Sequence, residues 1–296
     1  MLIPSPISKI TLEGREFFIK HDELIDPYLS GNKFRKLYTL LQTPQEKYTT
    51  LISYGGTQSN AMLALAALCK QKEWQFIYYT KKINSIVKEQ KHGNYFEALS
   101  LGMQLKEIED TLYKEYISGV RLGLGKGSLL IDQGGADKSA REGLKVLAEE
   151  IREQLEQDEY KDIKAIATPA GTGTTALFLA LVLPEYKVYT TPSVGDASYL
   201  KMQMQALHEI PQNLIILEHK KKYHFAKLYD EFFEMYSKLQ ESGVEFDLLY
   251  APSMWLALLQ RTDESILYVH SGGLTGNSSM LERYKQKLIN KSNRLA

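Results

Sequence analysis

The residues in this 296-residue sequence best suited to do chemistry are one lysine and a set of small, polar loops. Lys33 stands in Ser30-Gly31-Asn32-Lys33-Phe34-Arg35-Lys36-Leu37, after Gly-Asn and just ahead of two more cations. A lysine taken at random is a solvated surface charge. Burial and cationic neighbours both lower an amine's pKa, and a neutral amine attacks carbonyl carbon. The context of Lys33 is that of an activated amine, the kind a Schiff-base lysine needs.

Four other segments share one design, in which a strand ends, small residues follow and a helix begins. They are Tyr54-Gly55-Gly56-Thr57-Gln58-Ser59-Asn60, Gln133-Gly134-Gly135, Pro169-Ala170-Gly171-Thr172-Gly173-Thr174-Thr175 and His270-Ser271-Gly272-Gly273. Glycine lets backbone approach a ligand, and a helix start offers free amides and a dipole that favours anions. Gly171 to Thr175, with glycines, hydroxyls and a helix behind, suits a phosphate. It is neither a P-loop nor a Rossmann fingerprint, because the closing Gly-Lys-Ser/Thr and the third glycine are both absent. Alone, such a turn is as readily an ordinary tight turn. Gln58, Ser59 and Asn60 suit a carboxylate, although Ser and Asn are also common N-caps.

These loops need strands to carry them. Strands are predicted at 49–54, 74–80, 103–108, 128–132, 163–168, 186–190, 213–217 and 266–270, and helices at 60–71, 95–101, 139–157 and 174–183. Residues 111–127 read as a connection. Strands alternating with helices predict an α/β fold with parallel sheets, and ligands then bind at the carboxyl ends of the strands. No linker or repeat separates domains, so two domains would be intertwined.

Composition narrows the function. Hydrophobic residues make up 44% and charged residues 24%, an ordinary globular balance. A chain of this length buries roughly three quarters of its unfolded surface, so it needs no staples. Basic and acidic residues both number 36, which speaks against nucleic acid or an anionic membrane as partner. The run Lys220 to Lys222 reads as solvated surface. Cys69, the one cysteine, follows an apolar stretch and reads as core; no intrachain disulfide is possible. No signal-peptide pattern and no apolar run of about 18 residues is seen, so a soluble, cytoplasmic protein is expected.

Taken together, the ordered pieces resemble a known group. These are His21-Asp22-Glu23-Leu24, SGNKFRKL, GGTQSNAMLALAAL, Gly93-Asn94, DQGGADKSAREGL, PAGTGTTALFLAL, LLYAPSM and ILYVHSGGLTG, spanning residues 21 to 276. In order and spacing they are similar to the fold-type II pyridoxal 5′-phosphate (PLP) enzymes that include 1-aminocyclopropane-1-carboxylate (ACC) deaminase and D-cysteine desulfhydrase. The resemblance implies that Lys33 holds PLP and that Asn60 bonds its 3′-oxygen. Gly171, Thr172, Gly173, Thr174 and Thr175 would bind the phosphate, and Ser271 would face the pyridine nitrogen. Gln58, Ser59 and the Asn60 amide would take the substrate carboxylate, with Tyr250 beside cofactor and substrate. Lys33, Ser59 and Tyr250 are the catalytic candidates, and no metal is expected.

A neutral serine at the ring nitrogen makes a weaker electron sink than a carboxylate would support, which suits β-elimination. The expected activity is thus a lyase or deaminase that converts a small amino acid such as D-cysteine to a keto acid and ammonia. Water enters at the end, which brings in the label hydrolase. ACC opening to 2-oxobutanoate is the alternative. The glutamate that follows the tyrosine in ACC deaminases is Ala251 here, in a shortened Tyr250-Ala251-Pro252-Ser253-Met254 stretch, and this weighs against it. The Tyr-Thr-Gly-Lys common on the desulfhydrase side is also missing, so a PLP-binding or sensing protein with little turnover is the alternative of another class. The family further implies two three-layer α/β domains of tryptophan-synthase-β type with the cofactor between them. The small domain would cover 40–150 and the large one 1–39 plus 151–296. The small domain would close on substrate, in a homodimer.

Overall fold

The computed structural model describes residues 4–292, the side chain of residue 86 excepted. Two sheets are built from β1 (Ile7–Leu12), β2 (Arg15–Lys20), β3 (Thr50–Tyr54), β4 (Gln75–Lys81), β5 (Gln104–Ile108), β6 (Ser128–Leu130), β7 (Ala165–Ala167), β8 (Lys187–Thr190), β9 (Leu214–Ile216) and β10 (Ile266–Val269). The larger sheet runs β1-β2-β10-β7-β8-β9 and the smaller β5-β4-β3-β6. All pairings are parallel except β1 with β2. That hairpin was not predicted. Its turn, Glu13-Gly14, has φ of 51° and 74°, the doubly positive geometry that matches strand twist in a two-residue connection.

Around the strands lie α1 (Asn32–Lys36), α2 (Tyr38–Gln42), α3 (Asn60–Lys72), α4 (Ser85–Glu89), α5 (Gly93–Ser100), α6 (Tyr113–Leu122), α7 (Ala140–Leu155), α8 (Thr174–Val182), α9 (Ala197–Gln205), α10 (Asp230–Glu241), α11 (Ala251–Arg261) and α12 (Asn277–Ser292). The stretch expected as a connection, 111–127, contains α6. One face of the larger sheet packs on α7 and α8, through Leu144, Leu147, Ile151, Leu177 and Leu179 against Ile166 and Val188. The other face packs on α10 and α11, through Met235, Leu239, Met254 and Trp255 against Phe17, Ile19 and Tyr268. Helices on both faces explain why β7 and β10 are apolar at every position rather than alternating. They also explain why α8 is apolar all round while α7 carries only a stripe. A third core, with Leu51, Phe76 and Met62, surrounds the smaller sheet and takes in Cys69. Burial pushes the Cys69 thiol up to about 12. Residue 150 lies within α7, whose buried apolar residues Ala140, Leu144, Leu147, Ala148, Ile151 and Leu155 join the core on the larger sheet, while Gly143 and Glu150 meet Arg35.

The order of the strands decides where a ligand can sit. In the smaller sheet β3 sends its next strand to one side and receives β6 on the other; in the larger, β7 lies between β8 and β10. Such switch points open a crevice beyond the carboxyl ends of the strands. The loops beyond these strand ends are the four glycine-rich segments.

Candidate active site

Lys33 lies in the first turn of α1. Gly31, before it, has φ +56°, and a Cβ there would overlap the Ser271 carbonyl. The Asn32 N–H donates to that carbonyl at 3.3 Å. Residue type thus fixes the lysine turn directly against the 270–273 loop. Lys33 Nζ donates to Asn32 Oδ1 at 2.9 Å and is half-buried. Loss of solvent brings its amine down from 10.5 to about 8, with Asp247 opposing the fall.

The cationic neighbours do not cause this shift, contrary to expectation. Arg35 turns away and is fully buried, bonded through Nε and Nη2 to Asp22 at 3.0 and 2.8 Å. Its Nη1 and Nη2 also meet Glu150 at 2.7 and 2.8 Å, and Lys20 bonds Glu150 at 3.0 Å. Two cations and two anions cancel beneath α1, so Arg35 projects no free charge toward Lys33.

Lys36 was overlooked as a functional residue. Its Nζ reaches the Gly134 carbonyl at 3.2 Å and Thr172 Oγ1 at 3.4 Å. It is buried, and no ion pair to an acid is found for it among the described residues. Burial first, then the charge of Lys33, drive its pKa well below 10.5. A buried ammonium with only neutral oxygens around it is poised for an anion. Its spacing of three from Lys33 was the available signal, since i and i+3 share a helix face.

The anion's place is the loop that Lys36 touches. Thr172 Oγ1 and Thr174 Oγ1 lie 2.9 Å apart, and buried Thr175 Oγ1 has no partner. Gly173 has φ +75°, and a Cβ there would strike Met204. A Cβ on Gly134 would meet the Thr172 methyl at 3.0 Å, and one on Gly171 would meet the Tyr250 ring at 3.4 Å. The loop after β7 is therefore closed by the loop after β6 on one side and by Tyr250 on another.

At the start of α3, Ser59 Oγ accepts from Met62 N–H at 3.3 Å, the ordinary N-cap bond, and lies beside the Tyr78 phenol. Asn60 Oδ1 accepts from Asn94 Nδ2 at 2.6 Å, and a Cβ on Gly273 would overlap Asn60 Nδ2. That amide is held with its donor end at the 273 loop. Gln58 behaves otherwise: its Oε1 accepts from Asn94 N–H at 3.1 Å, so its carbonyl end holds Asn94. Asn94, fully buried and also donating to Gln58 O at 3.0 Å, is the second residue overlooked. Its Gly93-Asn94 pair was noted but given no role. Tyr250 opens α11, and burial with the nearby Asp247 keeps its phenol protonated far above the usual range.

Close approaches of Gly31 to Ser271, Gly273 to Asn60, Gly171 to Tyr250 and Lys36 to Thr172 thus link the loops that carry Lys33, Asn60, Gly171 to Thr175, Tyr250 and Ser271. The residues fit a phosphorylated, polar cofactor with an aldehyde. Lys33 offers the amine, and the buried Lys36 ammonium and the glycine cradle offer an anion site. Thr168 Oγ1, Thr175 Oγ1 and Thr191 Oγ1, at or beyond the ends of the central strands, are buried without partners. Buried orphans of this kind are what a bound polar group satisfies.

A family model described as pyridoxal-phosphate dependent enzyme matches residues 2–194. The chain belongs to this family of PLP-dependent enzymes. A putative 1-aminocyclopropane-1-carboxylate deaminase of Thermotoga maritima is 22% identical over 285 residues, 89% of this chain and 90% of that protein. The bifunctional D-cysteine desulfhydrase/1-aminocyclopropane-1-carboxylate deaminase of Arabidopsis thaliana is 26% identical over 310 residues, 93% and 77% of the two chains. Among solved structures, an ACC deaminase homologue superposes with a TM-score of 0.71 at 22% identity, covering 95% of each chain. A hydrogen sulfide-producing enzyme from Fusobacterium nucleatum gives 0.64 at 15%, covering 93% and 97%. The fold is that of these PLP enzymes. The label hydrolase is withdrawn: the relatives are named deaminases and desulfhydrases, and water would enter only after the bond-breaking steps. Among the described residues no helix is long and apolar enough to cross a membrane, and no metal-binding cluster occurs.

Proposed function

We propose that this chain is a deaminase or lyase that removes ammonia from a small α-amino acid by β-elimination, with D-cysteine as the favoured substrate. PLP, when bound, acidifies the α-hydrogen of an amino acid by withdrawing electrons. Lys33 would hold its aldehyde, Lys36 and Gly171 to Thr175 its phosphate, Asn60 Nδ2 its 3′-oxygen and Ser271 its ring nitrogen. The observation that carries the reading is that one turn of α1 sets Lys33, whose turn is held against the 270–273 loop, beside a buried Lys36 that reaches Thr172 and has no acid partner among the described residues.

The protein's own groups then have distinct tasks. An amine titrating at about 8 is roughly one tenth neutral at pH 7, enough to serve as base at the α-carbon. Ser59 and the α3 N-terminus bind the substrate carboxylate. Tyr250, held protonated, acts as a donor toward the leaving group. For D-cysteine the Cα–H and Cβ–S bonds break, sulfide leaves with a proton, and water replaces nitrogen to give pyruvate and ammonia.

The names of the relatives keep ACC opening as the second reading. Position 251, at the first turn of α11, carries a methyl group where that reaction's family has an acid. Titrating the PLP-loaded protein with D-cysteine, L-cysteine and ACC, followed by keto-acid and ammonia assays, tests the proposal. Pyruvate from D-cysteine alone is expected; turnover of ACC in preference to D-cysteine overturns it. A homodimer in the cytoplasm belongs to the same proposal, and sedimentation at micromolar concentration checks the assembly.

A further inference from the structure

The 270–273 loop holds the Lys33 turn, and His270 is the side chain that holds the loop. It is fully buried. Its backbone N–H donates to the Lys20 carbonyl at 3.0 Å and extends the pairing of β10 with β2 by one residue. Its ring stacks on Phe246 at 4.6 Å. Both ring nitrogens meet backbone: Nδ1 lies 3.0 Å from Gly272 N, and Nε2 lies 2.9 Å from the Glu245 carbonyl. An amide N–H only donates and a carbonyl only accepts, so Nδ1 carries a lone pair and Nε2 the proton. Ser271 lies inside the loop so closed. Its carbonyl takes the Asn32 N–H, and a Cβ on Gly272 would strike Ser30 Oγ at 2.5 Å. The loop and the lysine turn are therefore packed backbone to backbone.

An acid faces the same ring. Glu23 Oε2 lies 3.5 Å from His270 Nδ1 and is buried with no hydrogen-bond partner among the described residues. Its other oxygen is 2.5 Å from His21 Nδ1, and His21 Nε2 is 2.6 Å from Ser8 Oγ. A carboxylate oxygen opposite a lone pair marks a place that one proton can fill. The remaining charged groups packed near His270 are engaged elsewhere. Asp22 faces Arg35, and the Lys20 ammonium faces Glu150. The Glu245 carboxylate accepts from Asn277 Nδ2 at 2.8 Å, and Asp247 accepts the Leu249 and Tyr250 N–H groups at 3.0 and 2.6 Å. Burial lowers the His270 ring below the ordinary 6.5, with Glu23 drawing it back. At neutral pH the ring is thus uncharged.

We propose that His270 is a positioning residue for the cofactor loop: its neutral ring clamps Ser271 against the Lys33 turn, and a proton taken between Nδ1 and Glu23 opens the clamp. Nδ1–H then donates to Glu23 Oε2, and the buried Gly272 N–H loses its acceptor. The loop is closed at neutral pH and loosened in acid. His21 and the half-buried Ser8 lead from Glu23 to the edge strand β1. That Ser271 serves a ring nitrogen rests on the function proposed above; the clamp on the lysine turn does not.

The test is made on cofactor-free, nitrogen-15-labelled protein. Ring-nitrogen NMR at pH 8 should show His270 with its proton on Nε2, and exchange of the Gly272 amide reads the clamp. His270→Phe keeps an aromatic ring on Phe246 and removes the acceptor; it should speed that exchange at pH 7 by roughly tenfold or more. His270→Asn returns an acceptor that takes no proton. It should restore the protection and keep it in acid, where wild type loses it as the ring gains charge. Glu23→Met should move that loss to lower pH by about one unit. Should a variant misfold, the wild-type ring spectrum and the pH dependence of its Gly272 exchange decide alone. Four results would each overturn the proposal: a proton on Nδ1 at pH 8, equal Gly272 exchange in wild type and His270→Phe, wild-type protection that persists until the protein unfolds, or an unmoved acid limb in Glu23→Met. PLP affinity, measured separately by absorbance, should fall roughly tenfold in His270→Phe and recover in His270→Asn. If wild type captures no PLP, the functional reading fails and the amide result stands.

Discussion

Replacing Lys36 by methionine should move two quantities in opposite directions. In cofactor-free protein the ammonium is buried, hydrogen-bonded among the described residues only to the Gly134 carbonyl and Thr172 hydroxyl, and its pKa lies well below 10.5. A folded-state pKa below the unfolded one means that the charged form is disfavoured by folding. That penalty applies at neutral pH and fades as pH rises toward the unfolded value. Lys36→Met removes it, so the cofactor-free protein should melt at a higher temperature at pH 7, with the gain shrinking at alkaline pH. With a phosphate in the cradle the sign reverses. Removing one partner of a buried, hydrogen-bonded charge pair costs about 2–5 kcal/mol, or roughly 30-fold to several thousand-fold in affinity. The assay is absorbance titration of wild type and variant with PLP and, separately, with pyridoxal, which has no phosphate. PLP affinity should drop by at least about 30-fold while pyridoxal capture changes little. Equal weakening for both ligands, PLP binding within about threefold of wild type, or a lower melting point would refute the assignment of Lys36 to the anion site.

Four further outcomes follow from the geometry. The rate at which cofactor-free protein captures PLP should rise with pH and level off near 8, the Lys33 value, where an ordinary lysine would keep gaining toward 10.5; stopped-flow absorbance reads this directly. Arg35→Met strands Asp22 in the interior, leaves Glu150 with Lys20 alone, and should lower stability by about 3–5 kcal/mol in urea unfolding. Glu150, held below its usual 4.5 by Arg35 and Lys20 against the opposing effect of burial, stabilises the fold above that value and loses the contribution as pH falls through its folded pKa. A Glu150→Gln protein should therefore be weaker at pH 7 and show a flatter acid limb in thermal melts. Gly31→Ala pairs a left-handed backbone cost of roughly 1–2 kcal/mol with a clash against the Ser271 carbonyl, and should abolish PLP absorbance even where the protein still melts cooperatively.

The elements legible in the sequence were those whose pattern is local. Strands from 49–54 through 266–270 and helices at 60–71, 139–157 and 174–183 all occur, with ends displaced by a residue or two. The β1–β2 hairpin escaped because Arg15 to Lys20 is not a clean alternation, and its Glu-Gly turn is a weaker signal than Asn-Gly. Helix α6 escaped because only Ile117 in it is buried, so no apolar stripe marks it. Helices α9 to α12 were likewise not read; α10 and α11 become cores only when both lie against the larger sheet.

The sequence by itself determined the chemical inventory: an amine after Gly-Asn, glycine-rich turns at strand ends, an N-cap serine and a methyl group at 251. These follow from residue type and from spacings of a few positions, which fix backbone conformation locally. The tertiary structure decided which charges reach the site. Arg35 and Lys36 are adjacent in sequence, yet a helix turns neighbours to different faces, so one is neutralised against Asp22 and Glu150 and the other reaches Thr172. Asp247 lies more than two hundred residues from Lys33, and its charge bears on that amine only because the fold brings the turn before α11 near the Lys33 turn. Burial is a property of the packed whole, and burial, not sequence neighbourhood, sets the titration of Lys33.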